Sequence, residues 1–318
     1  MGVIMQWLRL FRVGNLMMIA LTQYLAYYTI VVAILKASLF TPSLSKLDFF
    51  LLSFSTCIIA AAGYVINNYF DKDIDASNNR NSTPAISQKA KLVLFFVCSG
   101  IGIVIGCYLT YVSGLRQIAI INTLTAGLLY FYSASYKRIM LVGNFVVAFL
   151  TGVAVFLPAF ADYELQYAFR DITLPPSNNA AYNLRIIVML VGAYAAFAFL
   201  LTFVREIIKD MEDMEGDALH GCKTLPLVAG VRISKLIIQT IILTVLLLLA
   251  YVQWSQHQWE NKITFGYTVM LVQLPLIILF GYLVFANEKK QFHVASLMSK
   301  VAMLLGVLSM PVFYYFAE

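Results

Sequence analysis

Charge is scarce in this chain. Only 12% of its 318 residues are Asp, Glu, Lys or Arg, about half the share of an ordinary soluble domain, which excludes a globule wrapped in a charged surface. Cysteine is scarce too. Of the four, Cys57, Cys98 and Cys107 fall inside apolar runs and Cys222 outside them, with no Cys-x-x-Cys pair, so neither a disulfide framework nor a thiolate metal site is expected. A short apolar core followed by a small-residue cleavage site is also missing near the N-terminus. The first apolar run has full length there, which predicts a true span and not a cleaved signal peptide.

Hydrophobic residues, by contrast, make up 61% of the chain, with a mean hydropathy of +0.81. Crossing a hydrocarbon layer of about 30 Å takes roughly 20 helical residues, and nearly uncharged runs of that length recur throughout. They fall at about 15–36, 49–70, 92–112, 117–136, 140–160, 186–204, 236–254, 263–286 and 297–316. The expectation is an all-α integral membrane protein of nine transmembrane helices. Nine spans put the termini on opposite sides, and with the N-terminus inside, 16 of the 22 Lys and Arg fall on the inner side. Multi-span chains orient with that excess in the cytoplasm, so N-in, C-out is expected. The net charge of +6 arises wholly on the inner side, from 16 basic and 10 acidic residues. It needs no nucleic acid to explain it, and for a chain of this class membrane lipid, and no nucleic acid, is the expected partner.

Nine of those ten inner acids gather in two clusters, "NNYFDKDID" at 67–75 and "REIIKDMEDMEGD" at 205–217. Four spans separate them, an even number, so both lie on the cytoplasmic face and can meet. Polar residues step by three and then four in each: Asn68, Asp71, Asp75 and Asp210, Asp213, Asp217. At about 100° per residue those steps keep each trio on one side of a helix, with Asp73 roughly on the far side from Asp71. The breaks at 115–117 and 137–140 are brief, whereas both acidic loops are expected to be long, and long ordered loops tend to be functional. One acidic loop alone reads as solvated. Two with the same spacing on one face point to a shared cation, because crowded carboxylates repel unless cations lie between them, and hard oxygen ligands suit Mg²⁺. Mg²⁺ held this way usually completes its shell with phosphate oxygens, so a diphosphate is the natural bridging ligand.

These residues resemble the UbiA-type intramembrane prenyltransferases. Asn67, Asn68, Asp71 and Asp75 are similar to that family's N-D-x-x-D-x-x-x-D motif, and "KDMEDMEGDALHGCKTLPL" at 209–227 to its D-x-x-D-x-x-G-D followed by K-T-L-P. The basic "YSASYKR" at 132–138 is similar to the end of its fourth helix. The resemblance covers essentially the whole chain, a single transmembrane domain over 1–318, and implies a central cavity with cytoplasmic acidic loops. It also implies a reaction: an isoprenyl diphosphate is ionised with Mg²⁺, expected as two ions, and its allylic carbocation alkylates a lipophilic or membrane-associated acceptor. Diphosphate leaves only if its developing charge is neutralised, which Mg²⁺ and nearby Lys or Arg can do.

On that resemblance Asp71, Asp75, Asp210, Asp213 and Asp217 are the metal ligands. Asp71, Asp75, Asp210 and Asp213 carry the catalysis with Lys137. Arg138, Arg80, Lys209 and Lys223 are further candidates for phosphate oxygens, Tyr132 for orienting the leaving group, and Asn67, Asn68 and Asn15 complete the substrate-binding set. Lys137 and Arg138 also suit plain anchoring of a helix end, and Asn15 suits capping. Three departures from the family stand out. Its first motif Asp is Asn68 here, Tyr132 and Lys137 are five apart where the family has Tyr-x-x-x-Lys, and "NNRNSTP" at 78–84 lacks the usual Arg-Pro run. The second motif is closest in form to the branch that acts on glycerol-phosphate precursors of archaeal-type ether lipids. The alternative acceptor is an aromatic quinone precursor. An ion-coupled transporter is the rival class, opposed by acids placed at helix ends and not within spans.

Overall fold

The computed structural model describes residues 3–72, 86–162, 165, 179–255, 257 and 260–316, and among them every regular element is a helix. In chain order these are α1 Val3–Leu10, α2 Val13–Ala37, α3 Lys46–Phe70, α4 Gln88–Ser113, α5 Gln117–Ala134, α6 Val142–Phe160, α7 Asn179–Leu219, α8 Leu225–Ser255, α9 Lys262–Phe285 and α10 Lys289–Phe316. Eight of them, α2 to α4 and α6 to α10, are long and apolar enough to cross a bilayer. The chain is an integral, multi-pass membrane protein. The remaining expected span, at 117–136, lies on α5, a helix of 18 residues diluted by Gln117, Asn122, Thr123 and Thr125.

Local chemistry sets several ends. Ser45 and Ser87 open α3 and α4, their hydroxyls accepting the backbone N–H of Asp48 at 3.1 Å and Ala90 at 3.2 Å. Gly114 closes α4 in the left-handed region at φ 74°.

The second acidic cluster differs from expectation. It does not lie in a loop after a span ending near 204, because α7 continues unbroken for 41 residues to Leu219. Charges there sit at helical pair spacing, as in Lys209 to Glu206 at 3.4 Å, so the polar segment prolongs the helix beyond its apolar part. Gly221 ends it at φ 67°, with the Cys222 N–H bonded to the Asp217 carbonyl at 3.0 Å. Likewise α8 starts at Leu225 and not near 236, with a break at Gly230 (φ 85°, ψ 160°).

The chain divides into two compact units, one of Met1–Lys137 with Val153–Gly192 and one of Arg138–Gly152 with Ala193–Glu318. In the first, α3 packs on α4 and α5 through small residues. A Cβ on Gly102 would lie 2.4 Å from Ile59 Cγ1, and one on Gly63 would lie 2.9 Å from Leu129 Cδ1. Buried Asn122 donates to the Gly102 carbonyl at 2.9 Å and to the Ser55 hydroxyl at 3.3 Å. Close approach at glycine, joined by an amide between helices, is how helices associate where lipid removes the hydrophobic drive. In the second unit Leu201 and Ile208 of α7 pack with Leu276, Leu279 and Ala295 of α9 and α10. Those contacts orient the α7 segment that carries the acids.

Candidate active site

In the first unit the last turn of α3 brings the first motif together. Asp71 caps that helix, and its backbone N–H bonds the Asn67 carbonyl at 2.9 Å. One turn of helix aligns the two side chains, and the Asn67 amide donates to Asp71 Oδ2 at 2.7 Å. The Lys137 ammonium, from the short turn Tyr136–Arg138, bonds the same oxygen. Asp71 is buried and Lys137 half-buried. The side-chain carbonyl oxygens of Asn67 and Asn68 are buried with no hydrogen-bond partner among the described residues. Asn15, near the start of α2, donates to the Tyr64 hydroxyl at 3.3 Å, and the Arg12 guanidinium lies over the Tyr64 ring, 5.1 Å from its centroid. Tyr64, Asn68 and Asp71 follow one face of α3 at helical spacing.

In the second unit Asp210, Asp213 and Asp217 all lie on α7, as their three-then-four spacing predicts. Asp210 accepts the Asn144 amide of α6 at 2.7 Å. Glu206 pairs with Arg205 at 2.8 Å and with Lys209 at 3.4 Å. Glu212 pairs with His293 of α10 at 3.0 Å. The exposed Lys223 gives its backbone N–H to the Arg138 carbonyl at 3.0 Å.

A sequence profile of the UbiA prenyltransferase family matches residues 26–313. The chain belongs to that family. Among individual proteins, it is 34% identical over 209 residues to digeranylgeranylglyceryl phosphate synthase of Methanothermobacter thermautotrophicus, a match covering 64% of each chain. A solved structure concerning digeranylgeranylglyceryl phosphate synthase in membranes has a TM-score of 0.66 and 22% identity, covering 99% of both chains. A UbiA homologue from Archaeoglobus fulgidus bound to DMAPP and Mg²⁺ has a TM-score of 0.54 and 16% identity, covering 96% of this chain and 99% of that one. The UbiA fold and an intramembrane prenyltransferase follow.

For a UbiA prenyltransferase, the residues singled out by sequence sort unevenly. Asn67, Asp71 and Lys137 form one bonded group. Tyr132 lies in the last turn of α5 and Arg138 in the turn with Lys137. Asp75 and Arg80 lie outside the described residues. Lys209 engages Glu206. Asn144 was not singled out by sequence. Its only signal was an amide in the first turn of an otherwise apolar run, "LVGNFVV".

The donors suit Mg²⁺, being carboxylate and amide oxygens. Buried acceptors are as a rule paired, and the partnerless oxygens of Asn67 and Asn68 beside Asp71 would be satisfied by a cation. Among the described residues no three Asp, Glu, His or Cys side chains form a metal-binding group.

Proposed function

We propose that the chain transfers an isoprenyl group from a prenyl diphosphate to a membrane-associated acceptor, with a glycerol-phosphate ether-lipid precursor favoured, at a site facing the cytoplasm. One catalytic domain of nine spans over 1–318 would house the site. The observation that carries this reading is the group at the end of α3, where Asp71 and the two asparagine oxygens offer ligands for a cation beside the Lys137 ammonium. The relative named digeranylgeranylglyceryl phosphate synthase and the homologue bound to DMAPP and Mg²⁺ support the same direction.

In this reading Asp71, Asp75, Asp210, Asp213 and Asp217 hold two Mg²⁺, and the two motifs serve one diphosphate. Bound Mg²⁺ supplies positive charge to the departing diphosphate. Lys137 and Arg138, joined by Arg80, Lys209 and Lys223, take phosphate oxygens, and Tyr132 orients the leaving group. Asn67 fixes the Asp71 carboxylate from a position on the same helix, so that its charge is aimed before substrate arrives.

Incubating purified protein with labelled geranylgeranyl diphosphate and a panel of acceptors tests the proposal. Alkylation of a prenylated glycerol phosphate is expected. Transfer only to aromatic acceptors would change the acceptor class, and no transfer to any acceptor without loss of fold would overturn the reading.

A further inference from the structure

Helices α2 and α6 begin with one four-residue pattern, "RVGN" at 12–15 and "LVGN" at 141–144. In both, the first residue has a left-handed backbone although it is not glycine: φ is 48° at Arg12 and 62° at Leu141. Such residues are sterically disfavoured and persist where the surrounding structure imposes them. The likeness continues along each helix. A Thr seven residues after the Asn bonds back one turn, Thr22 to the Met18 carbonyl at 2.7 Å and Thr151 to the Val147 carbonyl at 2.9 Å. Each Asn also reaches the helix that bears the acidic motif of its own unit. Asn15 donates to Tyr64 on α3 at 3.3 Å, and Asn144 donates to Asp210 on α7 at 2.7 Å.

We infer that Asn144 is a positioning residue for the second acidic motif, set in place by the left-handed turn at Leu141 and holding Asp210 Oδ2 from a neighbouring helix. Asn144 is buried, and its amide is neutral. It can fix the carboxylate's rotamer without placing a positive charge on it, so the bond brings no fixed charge to compete with a cation. The contrast is with Asp71, whose oxygen bears both an amide and the Lys137 ammonium. The matching Asn15 donates to the Tyr64 hydroxyl of α3. The inference rests on the reading of Asp210 as a Mg²⁺ ligand.

Binding of Mn²⁺ to the purified full chain in detergent, followed by loss of the free-ion electron paramagnetic resonance signal, tests it. Asn144→Leu keeps the bulk and removes the donor. It is expected to weaken Mn²⁺ binding roughly 10–100-fold, as loss of an outer-shell partner does, with the metal-free melting temperature unmoved. Asn144→Gln, which retains the amide, is expected to bind within a few-fold of wild type. Wild-type binding by Asn144→Leu, or equal weakening in the Leu and Gln variants, would overturn the role; Asn144→Ala replaces Leu in this comparison if the latter does not fold. Asp210→Ala separates the two claims. If it leaves Mn²⁺ binding intact, the ligand reading of Asp210 fails, whereas lost binding there beside wild-type binding in Asn144→Leu sinks only the role of Asn144.

Discussion

The Lys137 ammonium bonds Oδ2 of Asp71, a residue only 4% exposed at the end of α3. The lysine side chain is 32% exposed, so the pair joins a buried acid to a base that can also reach outward. Lys137→Met is expected to cut turnover by about 10²–10³, the usual loss when a charge-stabilising donor is removed, and to raise KM for the diphosphate. Stability should fall by only ~1 kcal/mol, because solvent screens the lysine end of the pair. Steady-state kinetics and a melting curve on one preparation check both. Wild-type kinetics with a lowered melting temperature would leave Lys137 as an anchor.

Activity is expected to require Mg²⁺. Asp71→Ala and Asp213→Ala, one from each motif, should each reduce turnover on the order of a hundredfold or more in protein that elutes and melts as wild type. The check is diphosphate release across a Mg²⁺ titration, preceded by chelation. Full activity after thorough chelation contradicts the proposed chemistry.

Asn68→Asp adds a charge to the motif that has an amide where the family has a carboxylate. The Asn68 oxygen is buried without a partner among the described residues, so a carboxylate there should lower the Mg²⁺ concentration for half-maximal activity. Turnover itself can slow if magnesium diphosphate is held too tightly afterwards, so the metal requirement is the quantity to measure. An unchanged titration in Asn68→Asp, beside a clear shift in Asp71→Asn, would mean that residue 68 does not serve the site.

Orientation is open to direct labelling. In a cysteine-free background, Ala218→Cys, on the exposed end of α7, should react with an impermeant thiol reagent only from the cytoplasmic side. Arg116→Cys, in the exposed turn between α4 and α5, should react only from the opposite side. The reverse pattern would overturn N-in, C-out and with it the cytoplasmic placement of both motifs.

Much of the helical framework was legible because a bilayer demands a length and an apolar composition that any window of about twenty residues displays. The expected runs at 49–70, 92–112 and 263–286 lie within a few residues of α3, α4 and α9. The end of α7 was not legible in that way. Charge ends an apolar run without ending a helix, so Arg205 to Leu219 reads as a loop by hydropathy although its residues suit a helix.

The sequence by itself determined the apolar part of most spans, the two acidic motifs and the helical face on which Asp210, Asp213 and Asp217 lie, since each depends on spacing within one segment. Only the tertiary structure decided which partners those acids have. Asp71 meets Lys137 and Asp210 meets Asn144, each pair 66 positions apart in the chain. A hydrogen bond needs its two heavy atoms within about 3 Å, and between helices that depends on the rotation and register of one against the other. Rotation and register follow from packing contacts such as Ile59 against Gly102 in one unit and Phe197 against Gly306 in the other, which no local run of residues contains.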